Sequence, residues 1–116
     1  MSSNKTLHEL CDELGVTRRV IQGYEKAGLA SATGRNKYGH LLYNEKAQER
    51  IVQIRMYQRL GFTIREIKEL IDAPDSFVKA TVEKQILYLK EKKKNIDIWI
   101  KEAYGIIKAI EDKEKQ

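Results

Sequence analysis

Nine positions between Val82 and Ile110 step by alternating fours and threes: Val82, Ile86, Leu89, Lys93, Ile96, Ile100, Ala103, Ile107 and Ile110, all apolar but Lys93. An apolar residue every 3.5 positions is the seam of a coiled coil. The pattern predicts one long helix over residues 76–116, its seam from Val82 to Ile110 on the order of 40 Å long at 1.5 Å per residue. In a chain of 116 residues, the domain that precedes it, residues 1–75, is too small to cover such a stripe. The exposed remainder needs a partner, and the simplest partner is a second copy of the chain. Trp99 and Ile106 lie beside the seam and widen the apolar face, which suits packing against the partner's globular domain. An antiparallel pair with its two-fold axis near Ile96 sets Leu89 opposite Ala103. It also brings Lys93 to Trp99 of the partner subunit, a cation over an indole.

Composition narrows the rest. With 34% charged and 41% hydrophobic residues, one proline and seven glycines, the chain favours an all-α dominated fold over a sandwich, barrel or disordered chain. A single cysteine, Cys11, leaves no disulfide framework. The N-terminus MSSNKTLHEL has no apolar export core, and no apolar run approaches the ~18 residues of a membrane span. A cytoplasmic location without membrane association is the expectation. Neither a phosphate-cradling glycine motif, nor a nucleophile with a base, nor a carboxylate pair with a pocket is evident, so no enzyme activity and no cofactor are expected. Cys11 falls on a helix packing face, and His8 and His40 form no ligand pair. No metal site is expected either.

Before the long helix, Thr6-x-x-Glu9 reads as a capping box opening a short helix with Leu7, Leu10 and Leu14 on one face. Gly15 stops it. Thr17 caps a second helix carrying Val20, Ile21 and Tyr24, which ends near Gly28. Two short helices across a glycine turn form a candidate helix-turn-helix, with small Cys11 where the helices cross. Residues 29–43 lose the helical period and read as a hairpin with Gly34-Arg35-Asn36-Lys37 near its tip, the wing of a winged helix. Asn44 caps a third helix with Ala47, Ile51, Ile54 and Tyr57 on one face, closed by Gly61. Thr63-x-x-Glu66 is a second capping box, and Ala73-Pro74-Asp75 breaks the chain. The charge is uneven: from Thr17 to Tyr43 there are five cations (Arg18, Arg19, Lys26, Arg35, Lys37) against one acid, Glu25. A basic helix-turn-helix with a basic hairpin suits a polyanion.

Several motifs in order resemble the MerR (mercury-resistance regulator) family of bacterial transcription regulators. They are Glu9-Leu10-Cys11, Gly15-Val16-Thr17, Ile21, Tyr24-Glu25-x-x-Gly28-Leu29, Gly39, Tyr43 and Gly61-Phe62-Thr63-x-x-Glu66-Ile67, followed by the long helix. The resemblance implies a homodimer with two winged helix-turn-helix heads joined by an antiparallel coiled coil. It also implies distortion of promoter DNA between half-sites, with RNA polymerase as the further partner there. This chain departs from the family where Gln22-Gly23 replaces an arginine and an aromatic. It departs again where Gly39-His40-Leu41 replaces Gly-Tyr-Arg, so two phosphate contacts do not carry over.

The expected double-stranded DNA contacts are Thr17, Arg18, Arg19, Gln22 and Lys26 on the second helix, and Arg35, Asn36, Lys37, Tyr38, His40 and Tyr43 on the wing. Arg18 and Arg19 open the helix that enters the major groove, and the wing takes phosphates or the minor groove. Tyr24 fits the core better than the interface, and Lys90 to Lys94 reads as a solvated coil face. Two rival readings stay open. An architectural, excisionase-like DNA-bending protein shares such a winged fold, although the long helix argues against it. A protein-interaction dimer with a degenerate DNA surface draws on Gln22, Gly23 and Leu41.

Overall fold

In the computed structural model, which describes residues 3–116, the chain divides into two compact units at Ala73–Pro74. The first begins with β1 (Lys5–Thr6) and α1 (Leu7–Leu14). Thr6 accepts from the Glu9 backbone N–H at 3.2 Å, and Glu9 accepts from the Thr6 N–H at 3.1 Å. Both backbone donors of the expected capping box are thus satisfied. Gly15 ends α1 with φ 66, the left-handed conformation that lets its own N–H and that of Val16 reach the Cys11 carbonyl. Then come α2 (Arg18–Lys26), β2 (Gly34–Arg35) and β3 (Leu41–Tyr43), followed by α3 (Glu45–Arg59) and α4 (Ile64–Leu70). Asn44 accepts from the Ala47 N–H at 2.9 Å to cap α3, and Thr63 and Glu66 form the second capping box.

The helix-dominated fold, 69% helical, is as expected, but its sheet is larger than a hairpin. Strand order is β1-β3-β2, antiparallel throughout, with Lys5 opposite Tyr43 and Gly34 opposite Leu42. The entry to α1 is therefore pinned to the wing. Gly34 sits in a strand rather than at the tip, which lies at residues 36–40.

Side chains from every helix of this unit meet in one core: Leu10 and Cys11 from α1, Ile21 and Tyr24 from α2, Ile51 and Ile54 from α3, and Ile67 and Leu70 from α4. Each wholly buried aliphatic side chain contributes about 1.5–3 kcal/mol of transfer free energy. Tyr24 also donates to Gln58 at 2.5 Å, fastening α2 to the end of α3.

The second unit is a single helix, α5 (Asp75–Glu114), whose N-terminal flank is Pro74. Its 40 residues extend about 60 Å. None of its residues is buried. Lys93 and Ala103 of the expected seam are exposed, Val82 and Leu89 are half-buried, and Ile86, Ile96, Ile100, Ile107 and Ile110 are exposed, as are Trp99 and Ile106. Among the described residues no helix is long and apolar enough to cross a membrane.

Candidate nucleic-acid interface

Helix α2 turns Ile21 and Tyr24 into the core and leaves Arg18, Arg19, Gln22 and Lys26 exposed. The period of 3.6 makes this division: Arg18, Gln22 and Lys26 follow one another at successive turns, with Arg19 beside them. The start of the helix is unusual. Every other helix has an acid in its first turn (Glu9, Glu45, Glu66, Asp75), whereas α2 has none and opens on two arginines. Thr17 holds the N-cap position but makes no side-chain cap bond, contrary to expectation. Its exposed side chain is left free for other partners. Cations at a helix N-terminus oppose the macrodipole and weaken the helix. The placement favours an anion brought from outside.

The wing is stapled from within. The Asn36 side-chain oxygen accepts from the backbone N–H of Tyr38 at 2.9 Å and of His40 at 3.0 Å. The Gly39 N–H reaches the Asn36 carbonyl at 3.0 Å, and Arg35 donates to the Gly39 carbonyl at 2.6 Å. With φ 82, Gly39 supplies the left-handed turn that these bonds require. Asn36, expected at the interface, is half-buried and shapes the tip instead. Lys37, Tyr38 and His40 are exposed around it, the Lys37 ammonium 5.2 Å from the centre of the Tyr38 ring.

One expected contact is corrected. Tyr43 has no exposed surface, and its hydroxyl donates to the Glu25 carboxylate, so it fastens β3 to α2 and cannot meet DNA. Burial, reinforced by the bond to Glu25, pushes its phenol well above the ordinary range. The β-strand alternation that carries Leu42 to one face carries Tyr43 into the core.

A cleft of about 570 Å³ opens between α1, α2 and the wing, lined by Leu7 and His8, Arg18 and Gln22, and His40 and Leu41. The departures Gln22, His40 and Leu41, far apart in sequence, thus converge on one place. His8 joins them only through the packing of α1 on the wing, and no local sequence signal marked it. Arg50 was also missed. It donates to the Leu29 carbonyl at 2.9 Å and to both Asp72 oxygens at 2.6 and 2.9 Å, tying the segment that follows α2 to the one that follows α4. The guanidinium holds the Asp72 carboxyl below the usual carboxylate range. Cys11 is buried, which raises its thiol pKa, and no cluster of three metal-ligating side chains exists among the described residues.

Residues 5–74 match the model of the MerR HTH family regulatory protein, and residues 48–104 match that of the MerR DNA-binding region. The chain belongs to the MerR family. Among relatives, the nodulation protein NolA of Bradyrhizobium elkanii is 36% identical over 70 residues, 60% of this chain and 32% of that protein. The mercuric resistance operon regulatory protein of Bacillus cereus is 36% identical over 67 residues, 58% of this chain and 51% of that protein. This MerR-family chain therefore spans about a third to a half of these relatives' length. The crystal structure of MtaN, the N-terminus of the Bacillus subtilis multidrug transporter activator, superposes with a TM-score of 0.69 at 29% identity. That match covers 84% of this chain and 92% of the other.

Proposed function

We propose that this MerR-family chain is a sequence-specific regulator of transcription that binds double-stranded DNA as a homodimer on a palindromic promoter site. In this reading residues 1–75 form the DNA-binding head and residues 76–116 the antiparallel dimerisation helix. Arg18, Arg19, Gln22 and Lys26 face the major groove, and Lys37, Tyr38 and His40 meet the flanking strand. The observation that carries the reading is the start of α2, where two arginines stand against the helix dipole with no acid and no cap bond. Such a start weakens the head on its own and is offset when DNA supplies the negative charge. The apolar face of α5, without a buried residue, supports the homodimer, and RNA polymerase at the promoter and a cytoplasmic setting follow from the proposed role.

Selection of bound sequences from random duplex DNA tests the reading directly, with a palindromic motif expected. Arg19→Ala should then cost about 1–3 kcal/mol and relax preference at one position of each half-site, as expected for a guanidinium on guanine O6 and N7. Lys37→Ala should weaken all duplexes alike and lower the salt slope by roughly one per head. Equal, sequence-blind losses from both variants would leave α2 without a reading role, and the absence of any enriched motif would overturn the proposal.

A further inference from the structure

The wing tip carries a large apolar group that nothing in the head covers. Tyr38 is 72% exposed, more than any other large hydrophobic side chain among the described residues. The turn beneath it is nevertheless tied down by the bonds from Asn36 and Arg35. The Lys37 ammonium lies 5.2 Å from the Tyr38 ring centre, and the centre of the His40 ring stands 6.2 Å away, tilted by 41°. A flat ring with a cation beside it is thus held out on a stiff support. Holding it there stabilises no core, because an exposed ring gains nothing from the hydrophobic effect. A contact with phosphate alone would use the cation and leave the ring idle.

The surface that matches both groups is negative and has flat apolar walls. The minor groove of A·T-rich duplex is narrow, strongly negative and walled by sugars. It also lacks the guanine N2 amino group that stands in the floor of a G·C groove. We propose that the Tyr38 ring reads the minor groove on the outer flank of each half-site and favours A·T pairs there, while the Lys37 ammonium beside it meets the adjoining phosphate whatever the sequence. The inference rests on the DNA-binding reading above and extends it. Specificity would then reach beyond the bases that face α2, and Tyr38 would be its determinant.

The test uses the full chain and three duplexes that share the selected half-sites and differ only in their flanks: A·T, G·C or inosine·C. Inosine·C presents the groups of G·C in the major groove and those of A·T in the minor groove. By fluorescence anisotropy, wild type should bind the A·T and inosine·C duplexes about tenfold more tightly than the G·C duplex. Tyr38→Ala should bind all three alike while still rejecting mismatched half-sites, and Tyr38→Phe should keep the flank preference. Equal binding of wild type to all three, inosine·C behaving as G·C, or an undiminished preference in Tyr38→Ala would each overturn the inference and leave the DNA-binding reading intact. Failure of wild type to bind any of the three would remove both.

Discussion

In the first unit, Ile21, Ile51, Ile54 and Ile67 are fully shielded from solvent, whereas along α5 Ile86, Ile96, Ile100, Ile107 and Ile110 each stay between 41% and 51% exposed. The same residue type, at similar helical spacing, meets opposite fates. In the head, four short helices and a three-stranded sheet bring apolar faces together from within one chain. In α5 a single helix of 40 residues makes up the whole unit and has no second element to fold back upon. The contacts that hold the head together lie within one chain, so its melting is expected to depend little on protein concentration. On the proposed reading that of α5 depends on association, because a lone helix gains little from propensity alone.

The largest effect is expected where the proposed seam of α5 is disrupted. Ile100→Asp places a charge in the centre of the seam and should give monomers by sedimentation, with a drop in helical circular dichroism. A dimer that survives would break the contrast between the units and sink the seam assignment. Next comes the head. Ile54→Ala removes a wholly buried side chain and should cost about 2–5 kcal/mol in the melting of the head. Dimer formation should persist at temperatures where the head stays folded. A change in melting that follows protein concentration would mean the units are not independent.

Smaller effects separate the helix starts. Thr6→Ala breaks a complete capping box and should cost about 1 kcal/mol. Thr17→Ala removes no cap bond and should leave thermal stability near wild type. Equal losses would show that α2 is capped after all.

The smallest effects concern pH. Glu9 and Glu66 have lowered pKa values, chiefly through the backbone N–H groups of Thr6 and Thr63 that they accept from and then through the threonine hydroxyls. A lowered folded-state pKa contributes stability above the ordinary carboxylate range, which is lost as pH falls through that range and below it. Glu66→Gln should therefore flatten part of the acid limb of the melting profile between neutral pH and about pH 3. The raised Tyr43 phenol works in the other direction. Its contribution is complete below about pH 10 and declines as pH rises past that point. Tyr43→Phe should remove this alkaline decline. An unaltered alkaline limb would mean that Tyr43 does not titrate out of the core.

What the sequence by itself determined were features set by neighbours within a few positions. The capping boxes at Thr6 and Thr63, the stop at Gly15, the buried face Ala47-Ile51-Ile54-Tyr57 and the apolar stripe of α5 all depend on i to i+4 relations, which a linear reading preserves. The tertiary structure alone decided what depends on residues brought from afar. A strand as short as Lys5–Thr6 carries too little alternation to be seen, and it exists only because β3 offers it an edge. Tyr43 has the chemistry of a phosphate contact, but Glu25 lies within reach of its hydroxyl and the core closes over its ring. Asn36 looked like a groove contact, but the backbone N–H groups of its own turn claim its oxygen. Gln22, His40 and Leu41 read as separate departures until packing gathered them, with His8, around one cleft. Burial and side-chain partnership are properties of the packed chain. Residue type restricts them, and only the approach of distant elements selects among the options.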